Sequence, residues 1–323
     1  MKTYSITIEP LSSFGTPLKG DTLFGQFCWQ AAYDSSFLSL SLDEAISCYS
    51  EKPFAVFSSA FPALPAGGVA LKRPDAPLEF LFDFTGTTKE DRIDKRKEYK
   101  KRKWVVCDKP GALADLSVCC YLADKDLSEY KPDYLQSHNS INRLTGTTGE
   151  GFAPFSQSVT LYPPGSRLVI YVGVDSELLS KESLLIGLDR IGKSGFGRDA
   201  STGMGKFIVA ECKEVDLAEF GTKEPNALYT LSPSVPEPGR YRDALFTPFT
   251  RFGRHGDRLA TSGKPYKNPV IMADEGALFF PIDMADSRKR AYIGTSLNGL
   301  SKIQTTAVTQ GYSLYIPVRL EVN

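Results

Sequence analysis

Only two histidines, His138 and His255, occur in this 323-residue chain. Histidine is the commonest side chain for moving protons near neutral pH, so its scarcity leaves few candidates for acid–base chemistry. The six cysteines (Cys28, Cys48, Cys107, Cys119, Cys120 and Cys212) include no two three residues apart. That spacing excludes a zinc ribbon and a C-x-x-C redox pair, and no metal or cofactor is expected. Vicinal Cys119 and Cys120 lie in LSVCCYL, where they read as small core residues. No run approaches the ~20 apolar residues of a membrane span. The opening MKTYSITIEP alternates in polarity and carries Glu9, unlike the continuous apolar core of a signal peptide. A reduced, cytoplasmic protein without a membrane partner is expected. An excess of one charge is also missing, since Lys plus Arg and Asp plus Glu are both 38. Nucleic-acid binding then requires the basic residues to be segregated along the chain.

They are. Nine basic residues against four acidic ones fill Lys89–Trp104 (KEDRIDKRKEYKKRKW), an excess of five. By itself such a run reads as a solvated, partly mobile insertion. Seven basic residues against two acidic ones fall between Arg240 and Lys267, again an excess of five. Length and a 41% hydrophobic content suit about two globular domains. Tyr4, Ile6 and Ile8 alternate with polar residues and mark a first strand, and Leu23, Phe24, Phe27 and Ala31 share one helical face. Asp21 stands where that helix would be capped. LEFLFDF is a short strand candidate, SINRLTGTTGEG a threonine- and glycine-rich loop, and RLVIYVGV a buried strand. Leu184, Leu185, Leu188 and Ile191 have helical spacing, and KFIVAEC reads as a strand. Composition loosens at Glu219–Asn226. The second half then runs through ALYTLSPSV, GALFFPI and YSLYIPVRLEV. An α+β protein is expected, with domains at 1–218 and 227–323, an insertion near 85–110, and antiparallel sheets compatible with a degenerate duplication of a ferredoxin-like (RRM-like) unit.

Between that second helix and its strand lies GFGRDASTGMGKF, Gly195 to Phe207. GFGRDA fits the dinucleotide fingerprint G-x-G-x-x-A, which requires a strand before the glycines and a helix after them. Here the helix comes first, and no acidic residue in a matching strand end follows about twenty residues on. A phosphate-binding P-loop fails as well, because Phe207 follows the GK pair. A helix-to-strand loop remains, rich in glycine and cations. Free amides with Lys193, Arg198 and Lys206 suit phosphates, and missing side chains admit a ligand backbone. A loose connection is the plainer alternative.

This helix and glycine-rich loop, after an opening strand and a D-T-L-F helix start, resemble the RAMP superfamily of CRISPR-associated proteins. Within it, GDTLFGQFCWQ, SINRLTG, FGRHGD with KPYKNPVIMADEGALFF, and TQGYSLYIPV resemble the type III-A (Csm) effector subunit that caps the 5′ handle of CRISPR RNA. The resemblance touches both halves. It implies two ferredoxin-like domains with the glycine-rich loop packed where they meet. It also implies a non-catalytic subunit between the large polymerase-palm subunit and the backbone RAMP subunit, meeting target RNA only indirectly. By the same resemblance, residues 89–104 occupy the region of a thumb that wedges into the guide–target duplex.

The RNA-contacting set expected on this basis is Phe14, Lys19, Asn142, Arg143, Lys193, Gly195, Phe196, Gly197, Arg198, Ser201, Thr202, Gly203, Lys206, Arg251 and Arg254. Phe14 and Phe196 either stack on bases or belong to the core, and Arg251 and Arg254 form the opposite wall. Some RAMP proteins instead cut CRISPR repeat RNA, which here would depend on His138. Binding of other single-stranded RNA shares every chemical feature of this reading.

Overall fold

The structure is a computed structural model that describes residues 1–127, 134–149 and 153–321. Glu150 and Gly151 of the threonine- and glycine-rich loop, and Val322 of the closing segment, lie outside them. In chain order the elements are β1 (Lys2–Pro10), α1 (Gly20–Tyr33), α2 (Leu42–Ser47), β2 (Ala55–Pro62), β3 (Val69–Lys72), α3 (Leu78–Leu81), α4 (Lys89–Lys101), β4 (Arg102–Cys107), β5 (Tyr121–Ala123), β6 (Tyr134–His138), β7 (Phe155–Val159), β8 (Leu168–Val174), α5 (Lys181–Ser194) and β9 (Phe207–Glu214). The second half adds β10 (Ala227–Thr230), β11 (Tyr241–Leu245), β12 (Pro248–Arg251), β13 (Val270–Ala273), β14 (Leu278–Pro281), α6 (Met284–Ser287), β15 (Tyr292–Gly294) and β16 (Tyr312–Val318).

The first sheet has the order β2-β8-β1-β9, every neighbour antiparallel. Its four strands therefore stand in the order second, third, first, fourth. The second sheet, β11-β14-β10-β16-β15, repeats that order and adds β15 at its edge. The helices are not repeated. α1 and α5 pack on the first sheet, whereas among the described residues the second half has as α-helix only the four-residue α6, beside a 3-10 turn at Asp257–Thr261.

Hydrophobic periodicity explains both layers. Tyr4, Ile6 and Ile8 point into the core from β1, while every residue of β8 is buried. β8 is covered on both faces, by the helices on one side and by the second half on the other. In the second sheet Tyr229, Leu278, Leu314 and Ile316 join the main core, and alternate residues Leu228, Phe279 and Tyr315 build a smaller one behind. The main core is thus continuous through both halves.

The seam is made at β2. Its pairing with β8 slips between Phe57 and Ala60, freeing backbone groups that a regular ladder would use. Each finds a partner. The buried carboxamide of Gln310 accepts from Phe57 N–H at 2.8 Å and donates to Phe57 C=O at 2.8 Å. Ser59 N–H donates to Leu231 C=O at 2.8 Å, and Ala60 N–H to Leu18 C=O at 2.8 Å. Ser58 Oγ accepts from Tyr171 N–H at 2.8 Å, replacing the acceptor lost at the bulge.

Residues 63–167 leave the first sheet between β2 and β8. They form the sheet β3-β4-β5, and β6 and β7 form a separate hairpin. LEFLFDF is not a strand: Pro77 precedes one helical turn that buries Leu78 and Leu81, and Phe82 follows extended. The basic run is a docked helix. Arg96 meets Glu79 at 2.8 Å, and the ring of Tyr99 stacks on Phe82 at 4.2 Å. These contacts turn Arg92, Arg96 and Tyr99 inward, so the outer face mixes Glu90, Asp94, Lys97 and Lys101 rather than presenting a cationic stripe. The segment that projects is the hairpin β6–β7. Its strands pack chiefly on each other, Val159 is buried at its base, and Leu144 near its tip is 96% exposed.

Replacing Gln310 with Ala should orphan two buried backbone groups, at ~1–3 kcal/mol each. Denaturant unfolding should show that loss; a Gln310→Ala chain less than ~1 kcal/mol weaker would mean the seam does not depend on this bond.

Candidate nucleic-acid interface

The glycine-rich segment closes against the loop joining β1 to α1. Gly205 N–H donates to Ser13 C=O at 2.8 Å and Leu11 N–H to Lys206 C=O at 2.8 Å. Lys206 N–H donates to Ser12 Oγ at 2.9 Å and Arg198 N–H to Thr16 Oγ1 at 2.9 Å. Gln26, on α1, donates through Nε2 to Gly195 C=O at 3.0 Å and accepts from Gly197 N–H at 3.2 Å. Phe196 N–H donates to Gly205 C=O at 2.9 Å, and Thr202, Gly203 and Met204 bond back to Asp199 or Ala200. The amides expected to meet phosphate are therefore mostly engaged. Only those of Asp199, Ala200 and Ser201 form a run without a bond among the described residues.

The glycines serve this self-packing. Gly205 has φ +72°, and a Cβ there would lie 2.2 Å from Phe196 C=O. Gly203 differs: its φ of +99° also requires the left-handed region, but a Cβ there would meet only open space. Close approach at Gly205 comes from the protein's own backbone and not from a ligand.

Several expected contacts are corrected by packing. Phe14 is 2% exposed, edge-on to Tyr162 at 5.5 Å, and Phe196 is 0% exposed beside it. Both are core, so neither ring is open to a base. Lys19 is largely enclosed between carboxylates, with Nζ 2.5 Å from Asp274 and 2.7 Å from Glu275. Burial alone would lower its pKa, but Glu275 and Asp274 outweigh burial and raise it. Burial would likewise raise Asp274, yet the hydrogen bond from Glu275 and the cations Lys19 and Lys72 bring it down to about 2. Burial holds the Glu275 carboxyl above its ordinary value. Lys19 is spent on this cluster.

Arg251 is spent as well. It grips Asp21 through Nε at 2.5 Å and Nη2 at 2.7 Å, and its guanidinium lies 4.7 Å over the Phe249 ring. Asp21 is correspondingly not a cap. Lys19 holds the N-cap position with no side-chain bond, and Asp21 sits inside the first turn as the buried partner of Arg251. A pair 230 residues apart in sequence carries no local signal, which is why capping seemed the sufficient explanation.

Other expected residues do reach the surface around the loop. Arg198 donates through Nη2 to Ser158 C=O at 2.7 Å, tying the loop to the base of the β6–β7 arm, and remains partly exposed. Phe14 N–H and Thr160 N–H exchange bonds of 2.9 Å with each other's carbonyls beside it. Ser201 and Lys206 are exposed, Thr202 Oγ1 donates to Asp199 C=O at 2.8 Å, and Lys193 pairs with Asp189 at 2.6 Å while staying mostly exposed. At the arm's tip Asn142 Oδ1 accepts from Leu144 N–H at 2.9 Å and shapes the turn, and Arg143 is exposed. Arg254 lies apart, on the second half, with Nη2 donating to Ala260 C=O at 3.1 Å.

The arm is the feature that sequence reasoning missed. Its strands, YLQSH and FSQSV, are short, but Leu135, Ile141, Leu144 and Phe155 are exposed apolar residues in one hairpin. Of the two histidines, His138 stacks on Phe155 at 5.2 Å with Nε2 enclosed and unbonded. His255 is buried and bonded to Ser301 Oγ at 2.8 Å, its pKa lowered by burial and by Lys267. No cluster of His, Cys, Asp and Glu suited to a metal occurs among the described residues, nor is any helix there long and apolar enough to cross a membrane.

No family model and no curated protein matches the chain. Solved structures match its fold from end to end. A chain in the crystal structure of a Csm1-Csm4 cassette in complex with pppApA aligns over 100% of both chains, at 15% identity and a TM-score of 0.61. The same cassette in complex with cA3 gives 0.59 at 15% identity, again over 100% of both chains. The Csm3-Csm4 subcomplex in the type III-A CRISPR-Cas interference complex gives 0.51 at 12% identity over 100% of both. At these identities the likeness establishes a shared fold.

The two loop glycines should separate in a thermal melt. Gly203→Ala should cost on the order of 1 kcal/mol, for backbone conformation alone. Gly205→Ala, which adds a backbone clash, should cost clearly more. Equal losses would show that the loop is not packed as described.

Proposed function

We propose that the chain is a non-catalytic subunit of a type III-A CRISPR interference complex, holding the 5′ handle of the CRISPR RNA and bridging the large polymerase-palm subunit and the backbone RAMP subunits. The observation that carries this reading is the end-to-end fold likeness to chains of the Csm1-Csm4 cassette and the Csm3-Csm4 subcomplex. The shared strand order of the two sheets supports treating both halves as ferredoxin-like units, the second degenerate.

The geometry refines how the handle is held. The glycine-rich loop is a rigid shelf rather than an open amide cradle, and its rim supplies Arg198, Lys206, Ser201 and the free amides at 199–201. Contacts of this kind fix register on a sugar–phosphate chain and carry little sequence information. The β6–β7 arm, tied to the shelf through Arg198 and Ser158, takes the wedge role that the resemblance gave to residues 89–104. Its apolar tip and Arg143 suit insertion beside a base stack. The role is binding, and the two histidines, one enclosed against Phe155 and one buried, are assigned no chemistry.

RNA copurified with the chain from its native complex should be short, with one constant 5′ end; a heterogeneous population would sink the handle assignment. In titrations of single-stranded handle RNA, Arg198→Ala and Arg143→Ala should each reduce the slope of log affinity against log salt by about 0.7. Unchanged slopes in both would remove the shelf and arm from the interface. Metal-independent cutting lost in His138→Ala would turn the reading to an endoribonuclease.

A further inference from the structure

The segment FGRHGD, residues 252–257, is two-faced. Residues 252–255 run antiparallel to 265–267: Lys267 N–H donates to Gly253 C=O at 2.8 Å, and His255 N–H to Pro265 C=O at 2.9 Å. Arg254 and Tyr266 are bridge partners in this ladder. Side chains alternate across such a ladder, and directly opposed residues share a face. His255 and Lys267 turn inward, His255 to Ser301 Oγ and Lys267 Nζ to Thr309 Oγ1 at 3.2 Å. Phe252, Arg254 and Tyr266 share the outer face, where Phe252 is 75% and Tyr266 60% exposed.

Leaving two large rings in water is costly, and nothing in the fold requires it. The mount beneath them is firm. The indole of Trp29 lies against Gly256, the Tyr33 hydroxyl donates to Asp257, and Trp29 and Tyr33 stack at 6.0 Å. Trp29 is one helical turn from Gln26, which holds the glycine-rich loop, so both loops are fixed to the same helix. The charge around the rings is mostly positive. Arg254 lies 5.7 Å from the Tyr266 ring, and exposed Arg258 and Lys264 have no ion pair among the described residues. Asp257, the acidic residue of the stretch, is engaged by Tyr33.

We infer that Phe252 and Tyr266 form a stacking platform for unpaired bases of a single-stranded RNA, with Arg254 set between them and Arg258 and Lys264 along its phosphates. Every base has a π-face, so aromatic rings interleaved with cations bind single strands with little regard to sequence. The core of a protein-docking surface would also favour such rings and arginine but would deplete lysine, and Lys264 stands exposed beside them. The platform supplies the stacking surface that Phe14 and Phe196, being core, cannot. It rests on the RNA-binding reading above.

Fluorescence anisotropy with a labelled, unstructured ten-nucleotide RNA, and with an abasic strand of the same length, tests it on the intact chain. Both rings are exposed, so Phe252→Ala and Tyr266→Ala should leave the melting temperature unchanged. Each should weaken binding of the base-bearing RNA ~5- to 100-fold, leave the salt slope as in wild type, and leave the abasic strand unaffected; Phe252→Tyr should restore affinity. If both alanine variants bind the RNA as wild type while Arg198→Ala and Arg143→Ala weaken it, the platform is overturned and the RNA reading stands. If the wild-type chain binds neither strand, that reading falls and takes the platform with it. Unchanged RNA binding with loss of a copurifying protein subunit would reassign the face to protein docking and also overturn the inference.

Discussion

Everything in this molecule that concerns the site depends on the irregular edge of β2. An edge strand normally presents unpaired backbone groups to solvent or to a partner. Here the slip between Phe57 and Ala60 turns those groups toward the second half, which answers them with Gln310 and Leu231. The two halves consequently share one core. The first turn of α1 is trapped at the seam: a Cβ on Gly20 would lie 2.1 Å from Phe57 C=O. A helix fixed so closely at its start can hold two loops in register along its length, through Gln26 and, one turn on, Trp29.

Folding also consumes much of the positive charge. A chain with equal numbers of cations and anions must segregate its cations to bind RNA, and the Arg240–Lys267 stretch looks like that segregation. In the folded chain Arg240 meets Glu237 and Asp286, Arg251 meets Asp21, and Lys267 is largely enclosed with its pKa lowered by burial. The one buried pair among them, Arg251 with Asp21, adds little net stability against apolar replacements, because desolvation offsets attraction, but losing one partner is expensive. It specifies how the halves meet. Of the four cations left over, Arg254, Arg258 and Lys264 lie on or beside one short ladder and Arg242 stands apart in β11, so sorting by partner reveals a pattern that counting hides.

Legibility in the sequence followed the range of the interactions. β1, α1, β8, α5 and β9 could be read because their apolar periodicities are local and strong, as in Tyr4, Ile6 and Ile8 or Leu184, Leu188 and Ile191. The glycine-rich loop was found for the same reason, although Gly197 and Gly205 are required by Thr16 and Phe196 of the fold itself. What escaped was set by distant partners. LEFLFDF alternates well enough for a strand, yet Pro77 starts a turn and Tyr99 takes the Phe82 ring. Phe14 sits in a polar loop and is core only because Tyr162 and Phe196 close around it. The arm escaped because its strands lack a buried face, and without one the alternation that marks a strand has nothing to select it.

A loop whose amides are mostly bonded internally cannot reshape itself around a ligand, and that limits how this surface would hold the RNA proposed for it. A pre-ordered surface loses little conformational freedom on binding, so modest contacts suffice for useful affinity. It also cannot follow base identity by adjustment. Selectivity then has to come from spacing: the fixed distance along α1 between the shelf held by Gln26 and the platform held by Trp29. A strand of the right backbone path satisfies both at once, and one that is bent or paired satisfies one at the expense of the other. On this argument the glycines matter less for what they admit than for the rigidity they permit.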